Sequence, residues 1–160
     1  MRRKKISLDY FAGLFDGEGC IFIQKKISTK RRTRNLSYRL GINLATSGNP
    51  ELIEIIKKQF GGSYYRRIFK KRENKKPSRL WVETGIPAAK ILKLIQKLLY
   101  LKKGECKLAL LFQKYRGEYK GERKNWKKNY SLNELRAKEK KNRRLEEMYQ
   151  EMRALKTKRY

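Results

Sequence analysis

Apolar and polar residues alternate along four stretches of this chain, and apolar residues recur every three to four positions along five others. Alternation with period two predicts strands, and the helical period predicts helices with one buried face. The first strand covers residues 20–26. The second covers 35–46, with Tyr38, Leu40, Ile42 and Leu44 on one side. Residues 63–71 and 78–84 form a second pair around a basic turn at 72–76.

The helices alternate with these pairs. Leu8, Phe11, Leu14 and Phe15 line a short helix over 8–16, capped by Ser7 or Asp9 and broken by Gly17 and Gly19. Asn49 and Pro50 suit the cap and first position of a second helix, which buries Leu52, Ile53, Ile55, Ile56 and Phe60 and stops at Gly61-Gly62. A third opens at Gly85 and Pro87 and runs through Leu98 and Leu99. A fourth covers 105–115. Ser131 and Glu134 form a capping box before a fifth, with Leu145, Met148, Tyr149, Met152 and Leu155 at helical spacing.

The order is α-β-β-α-β-β-α-α. It predicts an α+β fold: an αββαββα core on a four-stranded antiparallel sheet, with helices on one face. Residues 1–116 form this core domain. Residues 117–160, polar at first and then helical, read as a basic C-terminal extension.

The other sheet face is predicted to be polar. On the first strand Phe22, Gln24 and Lys26 oppose Ile21 and Ile23. On the second, Ser37, Arg39, Gly41 and Asn43 oppose the apolar set. On the fourth, Arg79, Trp81 and Glu83 oppose Leu80 and Val82. On the third, either Tyr64, Arg66, Ile68 and Lys70 or Tyr65, Arg67, Phe69 and Lys71 face outward. The first set is preferred, because Tyr65 and Phe69 make the better core pair. Every half-solvated sheet alternates, but here the face carries donors and acceptors able to read base edges. Arg31, Arg32 and Arg34 in the first hairpin turn suit phosphates. Eight residues of strand span ~26 Å, roughly eight base pairs.

Charge strengthens that picture. The 160 residues hold 44 Lys+Arg against 15 Asp+Glu, a net of +29, which calls for a polyanionic partner. Double-stranded DNA fits best, with RNA as the alternative. The charge spreads from Arg2 to Arg159 rather than along one amphipathic helix, so no membrane partner is expected. Histidine is absent, which excludes nucleases built on a histidine base. Two lone cysteines, Cys20 and Cys106, do not make a disulfide framework or a zinc site. An intracellular, reducing compartment, cytoplasm or organelle, is expected.

In so basic a chain, Asp16-Gly17-Glu18-Gly19 stands out. A carboxylate on a glycine-flanked turn beside backbone carbonyls can hold a hard cation such as Mg²⁺, which suits phosphodiester hydrolysis. The nonapeptide Phe11-Ala12-Gly13-Leu14-Phe15-Asp16-Gly17-Glu18-Gly19 resembles the LAGLIDADG motif. Together with the element order over residues 7–115, it resembles the single-motif, homodimeric type of LAGLIDADG homing endonuclease. A second copy of the motif is not found.

The resemblance implies a Mg²⁺-dependent DNA endonuclease whose saddle-shaped sheet reads a long pseudo-palindromic site. Glu18 would bind the metal from each subunit, with the Gly17 carbonyl beside it. Mn²⁺ or Ca²⁺ would serve as substitutes. Glu18 stands where the family name has Asp, so Asp16 is kept as the alternative ligand. Lys103 occupies the place of the family's active-site basic residue, with Lys102 competing. Thr46 fits a solvent-holding polar position after the second strand. Leu8, Phe11, Ala12, Gly13 and Phe15 would pack on the partner's motif helix. The sheet-face residues, Tyr64, Arg66, Lys70, Arg79, Trp81 and Glu83 among them, match DNA-reading positions. Rival readings are an acid-x-Lys pair in Glu73-Asn74-Lys75, an intron-RNA-binding maturase, and a non-cleaving DNA-binding protein of the same fold.

Overall fold

The computed structural model describes residues 5–28, 35–46, 49–67, 78–118 and 131–157. The elements are α1 (Leu8–Glu18), β1 (Gly19–Ser28), β2 (Asn35–Thr46), α2 (Pro50–Phe60), β3 (Ser63–Arg67), β4 (Ser78–Thr84), α3 (Gly85–Ile95), α4 (Lys103–Glu118) and α5 (Leu132–Thr157). This is the expected α+β order. The strands form one antiparallel sheet in the order β1-β2-β4-β3, so the two hairpins join along β2 and β4. The basic turns, with Arg31, Arg32, Arg34 and Lys70, and the Glu73-Asn74-Lys75 triplet lie outside the described residues.

Local chemistry sets most boundaries. Ser7, not Asp9, caps α1 by accepting from the Tyr10 amide at 3.1 Å. Asn49 accepts from the Leu52 amide at 3.1 Å and starts α2. Ser131 and Glu134 exchange hydrogen bonds as a capping box at α5. Two ends differ from expectation. α1 runs on through Gly17 to Glu18, because Lys102 ties down its last carbonyls. α3 ends at Ile95, and Leu99 reaches the core from a turn.

The helices cover one sheet face. Phe11 and Phe15 of α1, Ile21 and Ile23 of β1, Leu40, Ile42 and Leu44 of β2, Ile53 and Ile56 of α2, and Leu92 and Phe112 of α3 and α4 form the core. Phe11 stacks on Phe60 at 4.4 Å and meets Trp81 edge-on at 6.1 Å. Gly62 turns the chain from α2 into β3 at φ +85, where a Cβ would lie 2.7 Å from the Val82 carbonyl. Only glycine fits that turn without strain.

α5 is docked against α4 and the β1 edge. Leu145, Met148 and Met152 join the same core. Glu146 accepts from the Tyr38 hydroxyl and pairs with Lys25 at 2.7 Å. Among the described residues, no helix is long and apolar enough to cross a membrane.

Candidate functional site

The end of α1 and the start of α4 are locked together through Asp16. Its Oδ2 accepts from the amides of Tyr100 at 2.9 Å and Leu101 at 2.8 Å, and its Oδ1 from that of Lys102 at 2.8 Å. Burial alone would raise its pKa. The amides of Leu101, Lys102 and Tyr100, with the Lys102 charge, outweigh burial and hold it below the ordinary carboxylate range. Both oxygens of Asp16 are therefore occupied by protein. Lys102 returns the contact: its buried side chain donates Nζ to the carbonyls of Asp16 and Gly17. A cation is well placed there, at the negative end of a helix.

Glu18 is the acid left open. It is exposed and shares a cavity of about 430 Å³ with Asp16, Gly17, Gly19, Cys20, Leu101, Lys102, Glu105 and Lys156. No cluster of three or more His, Cys, Asp or Glu occurs among the described residues. One chain thus offers one open carboxylate and the Gly17 carbonyl. That set suits Mg²⁺, which keeps several waters and takes phosphate oxygens, better than a cation needing an all-protein cage.

Two expected members of this site lie elsewhere. Lys103 opens onto a separate hollow with Gln96, Lys97, Cys106 and Lys107. Lys102, in the turn before α4, faces the acids, and Lys103, the first residue of α4, turns away. Thr46 pairs with Arg79 in the register and falls on the helix-covered side of β2, outside the cavity lining.

The register also redistributes the sheet face. Gln24 pairs with Arg39, Lys26 with Ser37, Cys20 with Asn43 and Phe22 with Gly41, all on the side away from the core. Gln24, Lys26, Ser37 and Arg39 are exposed, and Phe22 and Asn43 half-buried. On β4 the expected sides are reversed. Trp81 pairs with Leu44, is fully buried, and donates Nε1 to the Gly61 carbonyl at 2.8 Å. Arg79 and Glu83 share that helix-covered side. Arg79 meets Glu54 at 2.6 Å, and Glu83 accepts from the Thr84 amide. The outward residues are Leu80, Val82 and Thr84.

β3 follows β4. Tyr64 lies opposite Trp81, and Arg66 opposite Arg79, on the helix side. Lys57 stands 4.9 Å from the Tyr64 ring centre. Tyr65, opposite Leu80, is the outward tyrosine and is 58% exposed. The free face is therefore basic and amide-rich on β1 and β2, and more apolar on β4.

The motif helix divides similarly. Phe11, Ala12 and Phe15 are 0–1% exposed and fill this chain's own core, so they are not available to a partner. Its open stripe is Tyr10, Gly13, Leu14 and Gly17, with Leu8 at 38% exposure beside it. A Cβ at Gly13 or Gly17 would meet nothing within 4 Å. Two small residues four apart leave a shallow track for a second helix to approach closely.

A family model described as LAGLIDADG endonuclease matches residues 11–103, more than half of the chain. Among solved structures, the archaeal intron-encoded homing endonuclease I-Vdi141I complexed with DNA is 15% identical with TM-score 0.64, covering 92% of this chain and 82% of that one. The homing endonuclease I-TnaI is 14% identical with TM-score 0.62, covering 96% of each. The homing endonuclease I-CvuI, in complex with the I-CreI target in the presence of Mg and with the DNA not cleaved, is 21% identical with TM-score 0.58, covering 71% of this chain and 69% of that one. No curated protein sequence matches.

Proposed function

Because the chain belongs to the LAGLIDADG endonuclease family, we propose that it is a homing endonuclease acting as a homodimer that breaks both strands of a long pseudo-palindromic DNA site. The open Glu18 carboxylate beside Lys102, at the end of a motif helix with an unpartnered small-residue stripe, carries this reading. Pairing of two such stripes brings two Glu18 side chains to one centre.

Glu18 and the Gly17 carbonyl would hold Mg²⁺, which when bound neutralises phosphate charge and acidifies water. Hydrolysis forms one new P–O bond from water and breaks one P–O ester bond, and the departing oxygen takes up a proton. Lys102 keeps the α1 end in place and adds positive charge where the phosphorane gains negative charge. Gln24, Lys26, Ser37, Arg39, Asn43 and Tyr65 face the major groove. β1 has 10 residues, which at ~3.3 Å each follow about ten base pairs. Residues 1–116 act as the endonuclease core and 117–160 as its extension, of which α5 is docked.

Cleavage of a randomised duplex pool with Mg²⁺, followed by sequencing of the cut ends, tests the reading. Selected sites should be long and nearly palindromic, and Glu18→Gln should not cut them. If wild-type protein cuts no duplex but binds folded intron RNA tightly, the maturase reading replaces this one.

A further inference from the structure

α5 does more than add charge. Leu145, Met148 and Met152 are 1–5% exposed, and this stripe seats the helix along the β1 edge. Its contacts give a direction. Glu146 meets Lys25, and Lys156, ten positions later, meets Cys20, five positions earlier in β1. Ten helical residues rise ~15 Å and five strand residues ~16 Å. The helix therefore runs antiparallel to β1 at matched pitch, and its last turn arrives at the end of α1.

There Lys156 reaches the cavity that holds Glu18. Its Nζ lies 2.8 Å from the Cys20 Sγ. A thiol is a weak acceptor and an ammonium has three strong donors, so this contact leaves most of the donor capacity open. Among the described residues Lys156 forms no ion pair with a carboxylate. Lys102, the other lysine lining the cavity, already spends its Nζ on the α1 carbonyls. A last-turn lysine that only balanced the helix dipole would stay over the C-terminal carbonyls. This one crosses the strand edge to Cys20, in the cavity that Glu18 also lines.

We propose that Lys156, delivered by the C-terminal helix, hydrogen-bonds the DNA phosphate being cleaved and exchanges Cys20 for a phosphate oxygen when DNA binds. The proposal rests on the nuclease reading of the cavity.

The test uses the full chain and a duplex recovered from the randomised pool. Single-turnover cleavage is measured with Mg²⁺, and binding with Ca²⁺ in its place. Lys156→Gln should slow cleavage about 10²-fold while binding weakens less than about 5-fold. Lys156→Arg should restore most of the rate. Lys140→Gln, an exposed charge-matched change on the same helix, should leave the rate near wild type, and equal thermal midpoints would show that all variants fold. A Lys156→Gln rate within about 3-fold of wild type, or a loss reproduced by Lys140→Gln, overturns the proposal while the nuclease reading stands. If wild-type protein cuts no duplex, both fall.

Discussion

Asp16 and Lys102 each cap the other's helix. The Asp16 carboxylate takes the three amides that lead into α4, and the Lys102 ammonium takes the last carbonyls of α1. The two acids of the motif thus have separate tasks: Asp16 builds the platform, and Glu18 remains open to solvent. Asp16→Ala strands three amides and removes a buried partner of Lys102. It should cost about 2–4 kcal/mol, read as a lower urea midpoint. Asp16→Asn, which keeps one acceptor oxygen, should fall between.

Glu18→Gln changes an exposed side chain, so its unfolding midpoint should match wild type within about 0.5 kcal/mol. Cleavage should fall below detection while Ca²⁺-supported binding persists. Cleavage that survives this change would remove the metal assignment.

Gly13→Leu places a side chain where this chain has open space, on the stripe proposed to meet a second copy. The fold should persist, but the particle mass by light scattering should drop from two chains to one, and cleavage should stop with it. A dimer that persists would show that this stripe is not the contact.

The α5 anchor responds to acid. The Lys25 ammonium, then the Tyr38 hydroxyl, hold the Glu146 pKa down to about 2 from 4.5. Its folded value is depressed, so its contribution is complete above pH 4.5. It fades as pH falls from there through about 2. The Glu146 side chain is 31% exposed, and solvent screening limits the effect to about 1 kcal/mol. Hydrogen-exchange protection factors along α5, corrected for the intrinsic pH dependence of amide exchange, should fall about 5-fold over that window, and Glu146→Gln should remove that fall.

Patterns that one element satisfies locally were legible from sequence. Asn49 before Pro50, the Ser131–Glu134 box and the period-two run of β2 each identify a cap or a strand without tertiary help. The facing of β4, whose bounds the sequence marks, was not legible because Leu80, Trp81 and Val82 are consecutive apolar residues, and both sides of the strand look buried. Arg79 and Glu83 then pointed outward on charge alone. Their positions depend on Glu54 of α2 and on the Thr84 amide, which are contacts that alternation does not encode.

Lys102 and Lys103 are neighbours in sequence, and which of them faces the acids is set by Asp16, 86 residues before Lys102, whose amide it holds. The docking of α5 hides for another reason. Its apolar stripe is thin and its surroundings are basic, so the match between its rise and that of β1 shows only once both are in space.

The tip of the Phe22 ring covers Gly41, where an added Cβ would come within 2.4 Å of it. Aromatic rings often cover such a gap on a neighbouring strand. This pair sits midway between the Cys20–Asn43 and Gln24–Arg39 pairs, so it works as a fixed pedestal under adjustable fingers. On the proposed DNA-reading face, reprogramming should therefore randomise Gln24, Arg39 and Asn43 and leave this pedestal alone: a methyl group at position 41 would displace the ring and misalign both neighbours.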